Sequence, residues 1–116
     1  MIVVSQVLLN ILTLNNRRVV AMALWPIIIL KNKDMKVNLE IINHERIHHR
    51  QQLELLVLPY YFWYFLEYWF YMFSNKMNHQ TAYMKVSFEK EAYSNQDNLN
   101  YLKKRKFLSN LPYFNK

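Results

Sequence analysis

The 116-residue chain reads as one α+β domain, mostly helical, on three observations. The length admits a single modest core. A β-branched run interrupted by one proline lies near the N-terminus, and apolar residues at helical spacing follow it. Apolar residues make up 53% of the chain and aromatics 16%, too many for a disordered tail. Cysteine and glycine are both absent. A disulfide framework, a thiol nucleophile, a thiolate zinc site and a glycine-rich phosphate loop are therefore excluded. Any metal must be held by histidine and carboxylate.

Residues 1–37 read as a short β element and a turn. Met1 to Leu14 is apolar, and Arg17 and Arg18 come after it, the reverse of the order in a secretory leader, so no cleavable leader is expected. Val19 to Leu30 is β-branched, and Pro26 excludes a central helix or ladder position, which leaves an edge strand or a short hairpin. After the polar turn Lys31–Asp34, Asn38 is the natural N-cap of a helix over 38–58, with Glu40 in its first turn. Leu39, Ile42, Ile47, Leu53, Leu56 and Val57 supply its apolar spacing, and Pro59 should end it.

Residues 60–73 form an aromatic helix. From Leu53 to Phe73 only Glu54, Pro59 and Glu67 interrupt the apolar run, which is long enough to span a bilayer. Two carboxylates, the proline and the Tyr/Trp content favour a membrane-facing segment, embedded or interfacial, in a membrane-associated protein. A buried helix of a soluble cytoplasmic chain is the alternative. Glu67 there should pair with a cation or face a polar cavity. A polar connection over 74–80 leads to an amphipathic helix over 87–96, capped by Ser87, and then to a basic tail over 97–116. The tail carries Lys103-Lys104-Arg105-Lys106, read as a solvated face. With a net charge of +7 and no other dense cationic run, anionic headgroups are the expected partner and nucleic acid is not. Arg46 and Arg50 suit a helix surface or headgroup contact.

His44-Glu45-Arg46-Ile47-His48 matches H-E-x-x-H inside the first long helix. Residues four apart stack on one helix face, so both imidazoles can reach one Zn²⁺ while Glu45 projects toward the reacting water. That pattern points to Glu45 as general base and then acid in the hydrolysis of a carbonyl compound. A third ligand is required. His49 is rotated away, and His79, Glu89, Glu91 and Asp97 remain. Glu89 and Glu91, two apart on a helix, point in nearly opposite directions, so only one of them can bind. His79, Tyr83 and Tyr93 are candidates to donate to a developing oxyanion.

These residues resemble the gluzincins, the thermolysin-type class in which a glutamate from a later helix, commonly within E-x-x-A-D, completes H-E-x-x-H. Glu89-Lys90-Glu91-Ala92 matches E-x-x-A. The resemblance implies a zincin-like minimal domain with Glu89 as third ligand, Glu91 as the alternative, and Ala92 allowing close helix packing. Tyr93 stands where the family's aspartate orients a ligand histidine, and its hydroxyl is the group available for that task. The strand around Ala23 to Ile29 resembles the gluzincin edge strand that pairs with substrate backbone. The small size resembles minigluzincins, and the aromatic segment resembles membrane-embedded gluzincins such as CAAX-prenyl proteases and antibiotic-sensor peptidases. Asn-His-Glu-Arg-Ile-His and Phe-Glu-x-Glu-Ala-Tyr also occur in small bacterial proteins that the chain resembles. The implied function is zinc-dependent hydrolysis of peptide or protein substrates at a membrane. The alternative is a non-catalytic, membrane-associated accessory or structural subunit of a larger complex, with or without zinc.

Overall fold

The computed structural model describes residues 1–13 and 19–114. Arg17 and Arg18, which carry the argument against a leader, lie outside the described residues. The protein is α+β with helix predominating. Strands β1 (Ile2–Val4), β2 (Ala21–Leu24) and β3 (Ile27–Leu30) form a sheet in the order β1-β3-β2. β2 and β3 are the hairpin, with Ala23 opposite Ile28, and Pro26 sits in its turn after a cis Trp25–Pro26 bond. β1 is a strand the hydropathy pattern does not reveal. It runs parallel to β3, Val3 opposite Ile29, and leads through the Ser5 N-cap into helix α1 (Gln6–Leu12).

Helix α2 (Leu39–Leu55) starts as expected, with the Asn38 side chain accepting from the Ile41 amide at 3.2 Å. It ends three residues before the expected boundary. A proline ring clashes with the carbonyl four residues back, so Pro59 is incompatible with a helix continuing through Leu55. The chain breaks at Leu56 (φ 63°, ψ 152°) and restarts as α3 (Val57–Trp69), whose first turn accommodates Pro59 because that amide needs no intrahelical acceptor. α3 widens into a π turn at Phe70–Ser74. The break divides the long apolar run, and no helix among the described residues is long and apolar enough to cross a membrane.

Helix α4 (His79–Lys85) replaces part of the expected polar connection, with Asn78 accepting from the Thr81 amide at 2.8 Å. Helix α5 (Ser87–Asn95) ends one residue before the expected boundary, and Ser87 is its first residue and not its cap. Glu67 does the capping from α3. It accepts from the Ser87 amide at 2.7 Å and from the Ser87 hydroxyl at 2.5 Å. Glu67 is therefore held by the N-terminus of a helix. The tail folds back as α6 (Tyr101–Lys104) and a 3-10 turn at Leu111–Tyr113. Arg105 is buried between Glu54 and Glu91, which corrects the reading of the basic run as wholly solvated.

Two apolar clusters hold these parts together. Ile28 and Leu30 of the sheet pack on Ile42 of α2, while Tyr60 of α3 packs on Phe88 of α5 and on Val86 just before it. Removing a side chain the size of Phe88 from water contributes about 2–3 kcal/mol. α2 lies between the two clusters. Its buried face carries Ile42 and Ile47 but is otherwise Asn43, His44, Glu45, His48, Gln51 and Gln52, while Leu39, Leu53 and Leu56, expected as apolar contacts, are exposed.

Candidate metal centre

α2 and α5 bring His44, His48 and Glu89 together. His44 Nε2 and His48 Nε2 are 3.1 Å apart, and Glu89 Oε1 lies 3.2 and 3.1 Å from them. Three ligands of one tetrahedral ion at 2.0–2.1 Å stand about 3.3 Å from each other, so this buried group has the size needed to hold a single metal ion.

Hydrogen bonding prepares the donors. His44 Nδ1 is 2.8 Å from Gln96 Oε1, and His48 Nδ1 is 2.8 Å from Gln51 Oε1. An amide oxygen only accepts, so each Nδ1 carries a hydrogen, which leaves each Nε2 as the ring nitrogen that would turn its lone pair to a metal bound in the group. Glu89 Oε2 accepts from the Tyr64 hydroxyl at 2.8 Å. Asn43 directs its amide nitrogen at the Asn95, Gln96 and Asn98 carbonyls, closing the end of α5 and fixing the loop that offers Gln96.

The electrostatics favour a cation in the middle. Burial alone would raise Glu89, but the two imidazoles hold its carboxyl well below the usual range. Burial would lower His48, and the Glu89 carboxylate outweighs that and raises it. Burial pushes the neighbouring Glu45 carboxyl up, against the pull of both imidazoles. Burial, reinforced by the Glu89 charge, keeps the phenols of Tyr60, Tyr64 and Tyr83 protonated and able to donate.

Glu45 stands between two parts of a cleft. One is a 360 Å³ cavity walled by Tyr60, Tyr61, Tyr64, Phe65 and Trp69 and reaching His48 and Glu89. The other, 180 Å³, is lined by His44, Ile41, Gln80, Tyr93 and Gln96. Tyr83 lines both, His79 the larger and Tyr93 the smaller. His79 hydrogen-bonds the Tyr68 hydroxyl through Nδ1. The Tyr93 hydroxyl, which the resemblance offered as a partner for a ligand histidine, is not the group at His44 Nδ1. The Tyr93 ring meets His44 edge-on with centroids 4.4 Å apart, while Gln96 holds Nδ1. Glu91 is turned away from the group into contact with Arg105, Tyr101 and Gln51. His49 reaches the Ile27 carbonyl at 2.9 Å.

The segment from Ala23 to Ile29 is two strands, and part of the β2 edge is already covered. Gln52 Nε2 and the Tyr61 hydroxyl donate to the Ala23 carbonyl at 3.0 and 2.8 Å, and Gln52 Oε1 accepts from the Trp25 amide. Val19 and Ala21 remain on the cleft wall. Sequence reasoning missed Gln51, Gln96 and Tyr64. Gln51 follows His48 by three on one helix, a spacing that could have flagged it, whereas Gln96 and Tyr64 carry no local signal. No family model, curated protein or solved structure matches the chain.

Proposed function

We propose that the chain is a zinc-dependent peptide-bond hydrolase of gluzincin type, with His44, His48 and Glu89 as ligands and Glu45 as general base and acid. The observation that carries this reading is the convergence of three buried donor atoms beside a second carboxylate, Glu45, that opens onto a cleft. A donor set of two imidazoles and one carboxylate fits zinc and leaves a coordination position open. Bound zinc supplies Lewis acidity, which polarises a carbonyl and acidifies water. Glu45 takes the proton released in the attack and passes it to the leaving amine, a task suited to a buried carboxyl of raised basicity. Tyr83, His79 and Tyr93 supply donors on the cleft side for the developing oxyanion. The aromatic cavity accepts an apolar substrate side chain.

Elemental analysis of purified protein tests the centre. Near-equimolar zinc is expected in wild type and in Glu45→Gln, and loss is expected in His48→Ala and Glu89→Ala. Hydrolysis of a peptide library should then disappear in Glu45→Gln. Zinc-free wild type after reconstitution, or undiminished hydrolysis by Glu45→Gln, overturns the reading.

A second reading, a non-catalytic subunit at a membrane surface or in a larger complex, is favoured by one observation. Leu58, Phe62, Leu66, Trp69 and Phe73 form an exposed stripe at helical spacing along α3 and its π turn. Co-sedimentation with phosphatidylglycerol vesicles tests it. Binding lost in Phe62→Glu/Phe73→Glu, together with no hydrolysis by zinc-loaded wild type, would favour this reading over the first.

A further inference from the structure

We infer that Arg105, from the C-terminal segment, is a positioning residue for the metal centre, acting through Glu91 and Gln51 on His48. The inference rests on the metal-binding reading of His44, His48 and Glu89. The four residues form one chain of contacts. Arg105 Nη2 meets Glu91 Oε1 at 3.0 Å and its Nε meets Oε2. Gln51 Nε2 donates to Glu91 Oε1 at 2.9 Å, and Gln51 Oε1 lies 2.8 Å from His48 Nδ1. Gln51 and Glu91 are at most 1% exposed, and the Arg105 side chain is fully enclosed.

The logic lies in the glutamine. Its amide has two ends, and only the oxygen end makes His48 carry its hydrogen on Nδ1 and keep the Nε2 lone pair toward the centre. The other orientation would present N–H to Nδ1 and place the hydrogen on Nε2, where it blocks a ligand position. The Nε2 end of Gln51 faces two acceptors, Glu91 Oε1 and the Phe88 carbonyl at 3.1 Å. A flip would press an oxygen against both of them in a dry interior, so the amide is held one way round. Glu91 can serve as that acceptor because Arg105 supplies its counter-charge and Tyr101 donates to Oε2 at 2.6 Å. Without Arg105 a buried carboxylate would be left without its cation. Arg105 is itself fixed by Glu54, which accepts from Nη1 at 2.6 Å. The segment after α5 thus reaches the metal face of α2 without touching a ligand. It also accounts for the second glutamate of Glu89-Lys90-Glu91: one faces the metal, the other holds the group that orients a ligand.

Cobalt(II) titration of Gln51→Leu, Arg105→Met and the double variant tests the inference, with circular dichroism to verify folding. Each single variant should bind Co²⁺ about 10–100-fold more weakly than wild type and show altered visible ligand-field bands. The double variant should lose no more than Gln51→Leu alone, because the two act in series. Arg105→Lys, which keeps the charge, should recover part of the affinity. If Arg105→Met does not fold, Glu91→Leu leaves Arg105 paired with Glu54 and should show the same loss. A role confined to stability would lower the melting temperature and leave the Co²⁺ spectrum unchanged. That result, or additive losses in the double variant, overturns the inference. Wild type that binds no Co²⁺ would overturn the metal reading itself.

Discussion

A buried imidazole can offer Nε2 to a cation only when the hydrogen on Nδ1 has an acceptor, and Gln51 and Gln96 are those acceptors. H-E-x-x-H was legible because its geometry is local, four residues on one helix face. Gln96 lies 52 residues from His44, and nothing in either neighbourhood announces the pair. Glu67 shows the same limit. The sequence marked it as a carboxylate needing a partner but offered no sign that the partner was the start of α5. Burial raises the Glu67 carboxyl above 4.5, with the Ser87 hydroxyl and amide pulling the other way. A carboxyl whose folded pKa exceeds its unfolded value stabilises the fold below the unfolded value and loses that contribution as pH climbs through the raised one. Glu67→Gln removes the titration. Thermal melts between about pH 4 and pH 7 should therefore show wild type losing stability relative to Glu67→Gln as pH rises. A difference independent of pH would count against it.

At the level of elements, the boundary between α2 and α3 is set by Pro59 acting on Leu55, and the chain meets it with a leucine in a backbone region that only glycine occupies without strain. The Leu56 side chain is 70% exposed, so truncating it sacrifices little burial. Leu56→Gly should raise stability by about 1 kcal/mol, seen as a higher urea midpoint with an unchanged slope. A lower midpoint would show that the leucine has a packing role. α2 also explains why its apolar pattern misled. Periodicity assumes that the buried face is the apolar one, and here that face carries the donors, their orienting amides and Gln52, so leucines occupy solvent positions. β1 escaped notice because three residues are too few for a period, and its partner β3 lies 26 positions away, as Ile2 and Ile28 show.

Across the whole molecule, the group between α2 and α5 links two halves with separate apolar clusters. A ligand that binds only the folded state adds stability in proportion to the logarithm of its concentration over its dissociation constant, about 2.7 kcal/mol at a hundredfold excess. Zinc should accordingly raise the melting temperature of wild type and leave Glu89→Ala unmoved. An equal rise in both would place the ion elsewhere. The C-terminal segment belongs to this scale too, since Arg105 joins Glu54 of α2 to Glu91 of α5 and fastens the two helices that form the centre. From composition and spacing alone came the single α+β domain, the helix carrying His44, Glu45 and His48, its Asn38 cap, the hairpin around Pro26 and the helix from Ser87, all consequences of neighbours in the chain. The assembly of Glu89 with the two histidines, the separate fate of Glu91, the break of the long aromatic run and the burial of Arg105 required the folded chain. They depend on which side chains meet across tens of residues and on how water is excluded there, and no local pattern encodes either.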